Sequence, residues 1–416
     1  MSRRELILAV YVPTILLAFG QGVMVLSLPL LANEASDAYS FASIIVSAAA
    51  VGTLIADVPT GTIMIRLGLR RTMLIGSTMV AASTLMLALP LDPGVLLVLR
   101  FVAGIGTALW GLSRYTFITQ QVPPELRGRM IAGFGGINRI GTFAGPLIAG
   151  SLVTVVGLYA SFLLAGALAA IALLTAWMWI PADASARPAG AQATGHAGEF
   201  RGTWRAIDGR RLDILFASLA QIFAQVVRQG KQFLIPLYGV EVLGLDAFEV
   251  GFVMTASAVI DMSMFGPAGY IMDRFGRKFA MVPSFSLMAI GIAMIPFADS
   301  FAGLLIAGLV VGFGNGIGSG TMMTLGADFA PAAFTSTFLS IWRFIGDSGQ
   351  MIGPLLVGIV AQTFDLEQSS WVLAGCSIVC ALMLFFLVRE TRIDRSQMEE
   401  AERPAPGRPA LHKHGG

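Results

Sequence analysis

The sequence predicts an all-α polytopic membrane protein, with twelve transmembrane helices in two pseudo-symmetric six-helix halves and both termini cytoplasmic. Three observations carry this: the composition, the placement of Lys and Arg, and an internal repeat. The 416 residues are 56% hydrophobic and 12% charged, at a mean hydropathy of +0.77. A soluble chain of this size carries about 25% charge to wet its surface. That composition excludes a soluble enzyme, a disordered chain and a disulfide scaffold, and a net charge of +2 gives no basic excess for nucleic acid.

About 20 apolar residues cross the hydrocarbon core. On that measure spans 1 to 12 fall at 6–31, 40–65, 72–90, 95–119, 130–153, 158–180, 213–237, 248–272, 279–298, 302–326, 337–362 and 369–388. The first follows Arg3 and Arg4 but runs well past a signal-peptide core, so it reads as a retained helix. Residues 181–212, rich in Ala, Gly, Pro and Arg, form a cytoplasmic linker between an N-terminal half at 1–180 and a C-terminal half at 213–392. The polar tail at 393–416 reads as disordered.

Orientation follows from the positive-inside rule. With the N-terminus inside, 21 of the 27 Lys and Arg fall in inside segments, six within spans and none in the outside loops. The repeat has a period of 208 residues. Pro59, Gly61, Arg66 and Gly68 superpose on Pro267, Gly269, Arg274 and Gly276; Gly104 and Gly106 on Gly312 and Gly314; Gly141, Gly145, Pro146 and Gly150 on Gly349, Gly353, Pro354 and Gly358. One offset holding across three helices indicates a duplication with a pseudo-twofold axis along the membrane normal.

These positions resemble the signatures of the major facilitator superfamily, in its 12-helix form, across residues 6–388. The loop after span 8, with Gly269, Asp273, Arg274, Gly276, Arg277 and Lys278, matches the family's cytoplasmic gate motif. Arg100, Gly104 and Gly106 in span 4 are similar to its second motif. Gly141, Gly145, Pro146 and their counterparts Gly349, Gly353, Pro354 resemble the Gly-Pro motif of proton-coupled drug and small-molecule antiporters, and also serve helix packing. The loop after span 2 departs from the pattern, with Ile65 at the acidic position, so an asymmetric gate is expected. The resemblance implies that spans 1, 4, 7 and 10 line a central cavity and that spans 2 and 5 pack on spans 11 and 8.

Charges inside a bilayer cost roughly 2.5–3.5 kcal/mol each on insertion scales and call for a partner or water. In span 7, Gln221, Gln225, Arg228 and Gln232 share a face, with Lys231 one residue short of Gln232. One reading gives Arg228 and Lys231 an anionic group of the substrate; the other has them neutralise a carboxylate such as Asp261. Gln21, Thr107, Trp110 and Asn315 complete the substrate-binding candidates. Arg114 is placed to reach the headgroups. Matched depth suggests two ion pairs between the halves, Asp57–Arg343 and Asp261–Arg139, with Asp347 sharing Arg343 at i+4. No histidine lies in a span, so Asp57, Asp261 and Asp347 are the acidic candidates for carrying a proton, Asp261 first for its central depth.

The sequence thus predicts a secondary transporter of the bacterial inner membrane working by alternating access, monomeric, with a small-molecule substrate, protons as coupling ion and the bilayer as surroundings. Proton-coupled efflux of amphipathic compounds leads, and transport of a small organic anion through Arg228 and Lys231 is the alternative. A non-transporting receptor or scaffold is a third. No cofactor, metal or enzymatic activity is expected: Cys376 and Cys380 read as buried thiols, and no P-loop or catalytic motif is present.

Overall fold

A computed structural model describes residues 7–121, 140, 141, 143–181, 202, 203 and 210–391. Its helices are α1 (Val12–Ser36), α2 (Tyr39–Leu67), α3 (Leu69–Met86), α4 (Pro93–Gln121), α5 (Phe143–Val155), α6 (Leu158–Trp179) and α7 (Arg211–Leu237). They continue as α8 (Ala247–Ser263), α9 (Phe265–Arg274), α10 (Lys278–Met294), α11 (Phe301–Ile317), α12 (Thr321–Phe329), α13 (Thr335–Thr363) and α14 (Leu366–Phe386). A helix falls within each of the twelve predicted segments, and nine spans among the described residues are long and apolar enough to cross a membrane. Arg139, the linker interior and the tail lie outside the described residues.

Two predicted spans are each broken in two. Span 8 breaks at Met264, where Pro267 lacks the N–H that residue 263 would accept. Span 10 breaks at Gly318–Gly320, and Gly320 takes φ +78°, a left-handed conformation that costs other residues roughly 1–2 kcal/mol. At the break the Gly318 carbonyl accepts from the Thr321 N–H and hydroxyl and from the Arg228 side chain.

Helices α1 to α6 pack largely on one another, as do α7 to α14, and the two groups meet along α2 against α13, α1 against α7 and α5 against α8. The 208-residue repeat is visible contact by contact. Gly104 lies on the Ala49 carbonyl and Gly312 on that of Ser257, while Gly106 lies on Gly76 and Gly314 on Ser284. The Gly-x3-Gly segments do the same: Gly145 meets Gly22 of α1, and Gly353 meets Val226 and Gly230 of α7. A Cβ at Gly22 would collide with the Gly141 backbone, so these glycines permit the close backbone packing on which helix association relies where lipid supplies no hydrophobic driving force.

The groups touch at one end of the bundle. There the Asn33 amide donates to Glu241 Oε1 at 3.0 Å, a pair of residues 208 apart and so equivalent in the repeat. The Phe248 N–H donates to Thr154 at 3.2 Å, Ser47 donates to the Met351 carbonyl at 3.0 Å, and Gly358 seats on Ser43. The other end is parted. Gly61 lies five turns beyond Ser43, on the same face of unbroken α2, yet among the described residues nothing adjoins it. The spans predicted to pair across the halves therefore do so among the described residues, α2 meeting α13 over only part of its length.

Candidate functional site

Above the parted end, a cavity of about 320 Å³ lies between the groups. Gln21, Met24 and Leu28 of α1, Ser47 and Thr53 of α2, Thr84 of α3, Arg100 and Thr107 of α4, Gln229, Gln232 and Phe233 of α7, and Gln350 of α13 line it. Three predicted substrate contacts, Gln21, Thr107 and Gln232, are thus brought together. Thr53 donates to the Ala49 and Gly104 carbonyls, both at 3.0 Å, and Thr107 to Ala103 at 2.9 Å, so their hydroxyl oxygens keep lone pairs for a ligand.

Arg100 is the one charged side chain lining this cavity among the described residues. Its Nε is buried without a hydrogen-bond partner, and no ion pair to it is found among the described residues. A guanidinium carries five donors. In such a cavity its donors can meet an acceptor or an anion.

The other predicted residues sit elsewhere. Arg228 Nε donates to Asn315 Oδ1 at 3.0 Å and its Nη2 to the Gly318 carbonyl at 3.1 Å, with the Phe285 ring 5.6 Å away. Asn315 in turn donates to Asp261 Oδ2 at 2.9 Å, and Lys231 lies within electrostatic reach of Asp261. Arg228, Asn315, Asp261 and Lys231 thus form one network among α7, α8 and α11, away from the cavity lining. Gln221 and Gln225 turn to α13, beside Gly346 and Gly349. Trp110 is buried among Met64, Leu69 and Met73 rather than presented to a ligand. Arg114 does not reach outward: it is buried and donates to Thr14 Oγ1 at 3.1 Å.

Of the two expected ion pairs between halves, the partner of Asp261, Arg139, lies outside the described residues. The other is not formed in this conformation. Arg343 pairs along its own helix with Asp347 at 3.5 Å, and Asp57 stands within electrostatic reach of Arg343 without a hydrogen bond or ion pair. Asp347 also accepts from the Gln350 amide at 2.6 Å.

The gate motif is folded onto its own group. Arg277 pairs with Asp328 at 3.0 Å, Glu390 accepts the backbone N–H groups of Arg277 and Lys278 at 2.8 and 2.9 Å, and Lys278 Nζ donates to the Phe385 carbonyl. Asp273 is 85% exposed and reaches Arg277 only at 3.8 Å. Arg274 lies over Tyr270, and Gly276 takes φ +114°. Cys380 is buried and donates to the Ala220 carbonyl at 3.3 Å, as a packed thiol does.

Sequence reasoning passed over Gln229, Gln350, Thr53 and Thr84, and counted Arg100 as a charge without assigning it a ligand. The repeat held a signal for Gln229, which is the counterpart of Gln21 at offset 208.

A family model for the Major Facilitator Superfamily matches residues 10–348 and 232–413. The cis,cis-muconate transport protein of Acinetobacter baylyi is 24% identical over 310 residues, 72% of this chain and 73% of that one. The bacillibactin exporter of Bacillus subtilis is 26% identical over 151 residues, 33% of this chain and 37% of that one. In fold, the crystal structure of the nucleoside transporter NupG matches with a TM-score of 0.74 at 15% identity, over 93% of this chain and 99% of that one. The family match, the apolar spans and the paired helix groups converge: the chain belongs to the Major Facilitator Superfamily and is an integral, multi-pass membrane transporter, not an enzyme.

Proposed function

We propose that this transporter carries a small organic anion, held at Arg100, by rocking of two halves at 1–180 and 213–392 about the central cavity. The unpartnered guanidinium in that cavity carries the reading. A lipophilic cation would meet uncompensated like charge there, whereas a carboxylate gains charge-assisted hydrogen bonds worth about 1.5–3 kcal/mol. Gln21, Gln229, Gln232 and Gln350 supply neutral donors and acceptors for the rest of the molecule. The muconate transport protein, a relative over most of the chain, has an organic anion in its name, which supports the same class.

With the N-terminus cytoplasmic, as the Lys and Arg distribution predicts, the parted end faces the cytoplasm and this is the inward-open state. Protons are the coupling ion in this reading. Asp261 is engaged by Asn315 and lies near Lys231, in a network away from the cavity lining. Asp57 and Asp347 share the single guanidinium of Arg343, which leaves one carboxylate short of a counter-cation and able to take a proton.

Efflux of amphipathic compounds is the second reading. It is favoured by Met24, Val25, Leu28, Val46 and Phe233 along the cavity and by the likeness of one segment to a siderophore exporter. Thermal stability of the purified protein against small carboxylates and lipophilic cations separates the two, since a ligand of the folded state raises its melting point. Stabilisation by carboxylates, lost in Arg100→Gln, is expected. Stabilisation by cations alone would sink the anion reading and leave efflux.

A further inference from the structure

Gln350 belongs to two sites at once. Its side chain lines the cavity that holds Arg100, and its Nε2 donates to Asp347 Oδ1 at 2.6 Å. Asp347 is the carboxylate already paired with Arg343, and Asp57 faces both from α2. From α4, Arg114 also feels Arg343, but it is engaged by Thr14. From α7, Arg228 is turned to Asn315 and Gly318, and on α12 Asp328 is taken by Arg277 and Thr391. The cluster that Gln350 touches is therefore two carboxylates around the Arg343 guanidinium.

We infer that Gln350 is the positioning residue that couples substrate to proton, and that the coupling has the sign of symport. This rests on the anion reading of the cavity. A carboxylate bound at Arg100 and within reach of the Gln350 amide competes with Asp347 for its N–H. Once that donor turns into the cavity, Asp347 relies wholly on Arg343. Asp57 then loses its share of the guanidinium, and its charged form loses support. A proton from the open aqueous side binds Asp57 in consequence. Linkage is reciprocal, so protonation at Asp57 tightens anion binding by the same factor. Anion and proton occupy the protein together and leave together, which is symport. A scaffold role for Gln350 predicts no such link, because a packing residue changes affinity equally at every pH.

The test measures binding of benzoate, cis,cis-muconate and gluconate to the purified full-length protein between about pH 5.5 and 8, where these acids stay ionised. In the wild type at least one of the three should bind more tightly as pH falls, approaching about tenfold per pH unit, the limit for one linked proton. Gln350→Leu should flatten that dependence and weaken binding at every pH by the same few-fold loss of one hydrogen bond, with Arg100 still holding the anion. Asp57→Asn, which stays neutral, should flatten it near the tighter, low-pH affinity. This second variant keeps the test sound if Gln350→Leu does not fold. Binding that is independent of pH, or tighter at high pH, overturns the inference but leaves the anion reading standing. So does an unchanged slope in Gln350→Leu, or in Asp57→Asn. Failure of all three acids to bind overturns the anion reading and the coupling with it.

Discussion

A buried charge is informed by its partners more than by its depth, and two arginines of this chain show the difference. Arg228 satisfies Asn315 and Gly318, whereas Arg100 has no partner among the described residues. Substitution should therefore separate them. Arg100→Gln should reduce carboxylate affinity roughly 10- to 100-fold, the worth of a charge-assisted hydrogen bond. It should not lower the melting temperature, since removing an unpaired buried cation relieves a desolvation cost. Asn315→Leu should do the reverse. It strips Arg228 and Asp261 of the amide between them, at about 1–3 kcal/mol for the groups left unsatisfied, and lowers the melting temperature. Titration binding and thermal melts of the same preparations check both outcomes. The sequence could rank neither residue, because a guanidinium's partner lies on another helix, here 87 residues away.

At the scale of helices, glycine placement decides which surfaces meet. Gly22 of α1 lies against Gly141 and Gly145, and a side chain there must force two backbones apart. Gly22→Val should cost about 1–3 kcal/mol as overpacking, read as loss of monodisperse protein in detergent. Gly61 is the contrasting case, since it has open space beside it. Gly61→Trp should fold normally and bind carboxylate from the open end, yet fail to transport, because the indole occupies the face on which α2 must close. Binding assays beside transport in proteoliposomes test this, and transport at the wild-type rate would refute it. The motif itself was legible in the sequence; that α5 uses its copy against α1 and α13 uses its copy against α7 was not. The breaks at Met264 and Gly318–Gly320 were missed for a related reason: hydropathy averages over a window and does not register one missing N–H or one left-handed glycine.

For the whole molecule, the contacts at the closed end set the balance between conformations. Asn33 and Glu241 are repeat equivalents, so their hydrogen bond sits where the two groups meet about the pseudo-twofold. Asn33→Ala removes that bond, one net exposed interaction of about 0.5–1.5 kcal/mol. It should shift the population several-fold toward the state open at this end, read as faster labelling of a cysteine introduced at Thr154. The fold and the family were legible from sequence because they rest on quantities carried along the chain. These are apolar length against bilayer thickness, the side on which Lys and Arg fall, and a repeat that places like residues 208 apart.

The sequence by itself determined the membrane, the helix positions, the duplication and the superfamily. Each follows from local composition or from comparison of the chain with itself. Only the tertiary structure decided which end is open, and that Arg228, Arg114 and Arg343 are committed to neighbours while Arg100 faces the cavity without a partner among the described residues. Those outcomes depend on which side chains converge when helices distant in sequence pack. Long polar side chains find partners by geometry in space, and nothing in their order along the chain fixes which one is left over.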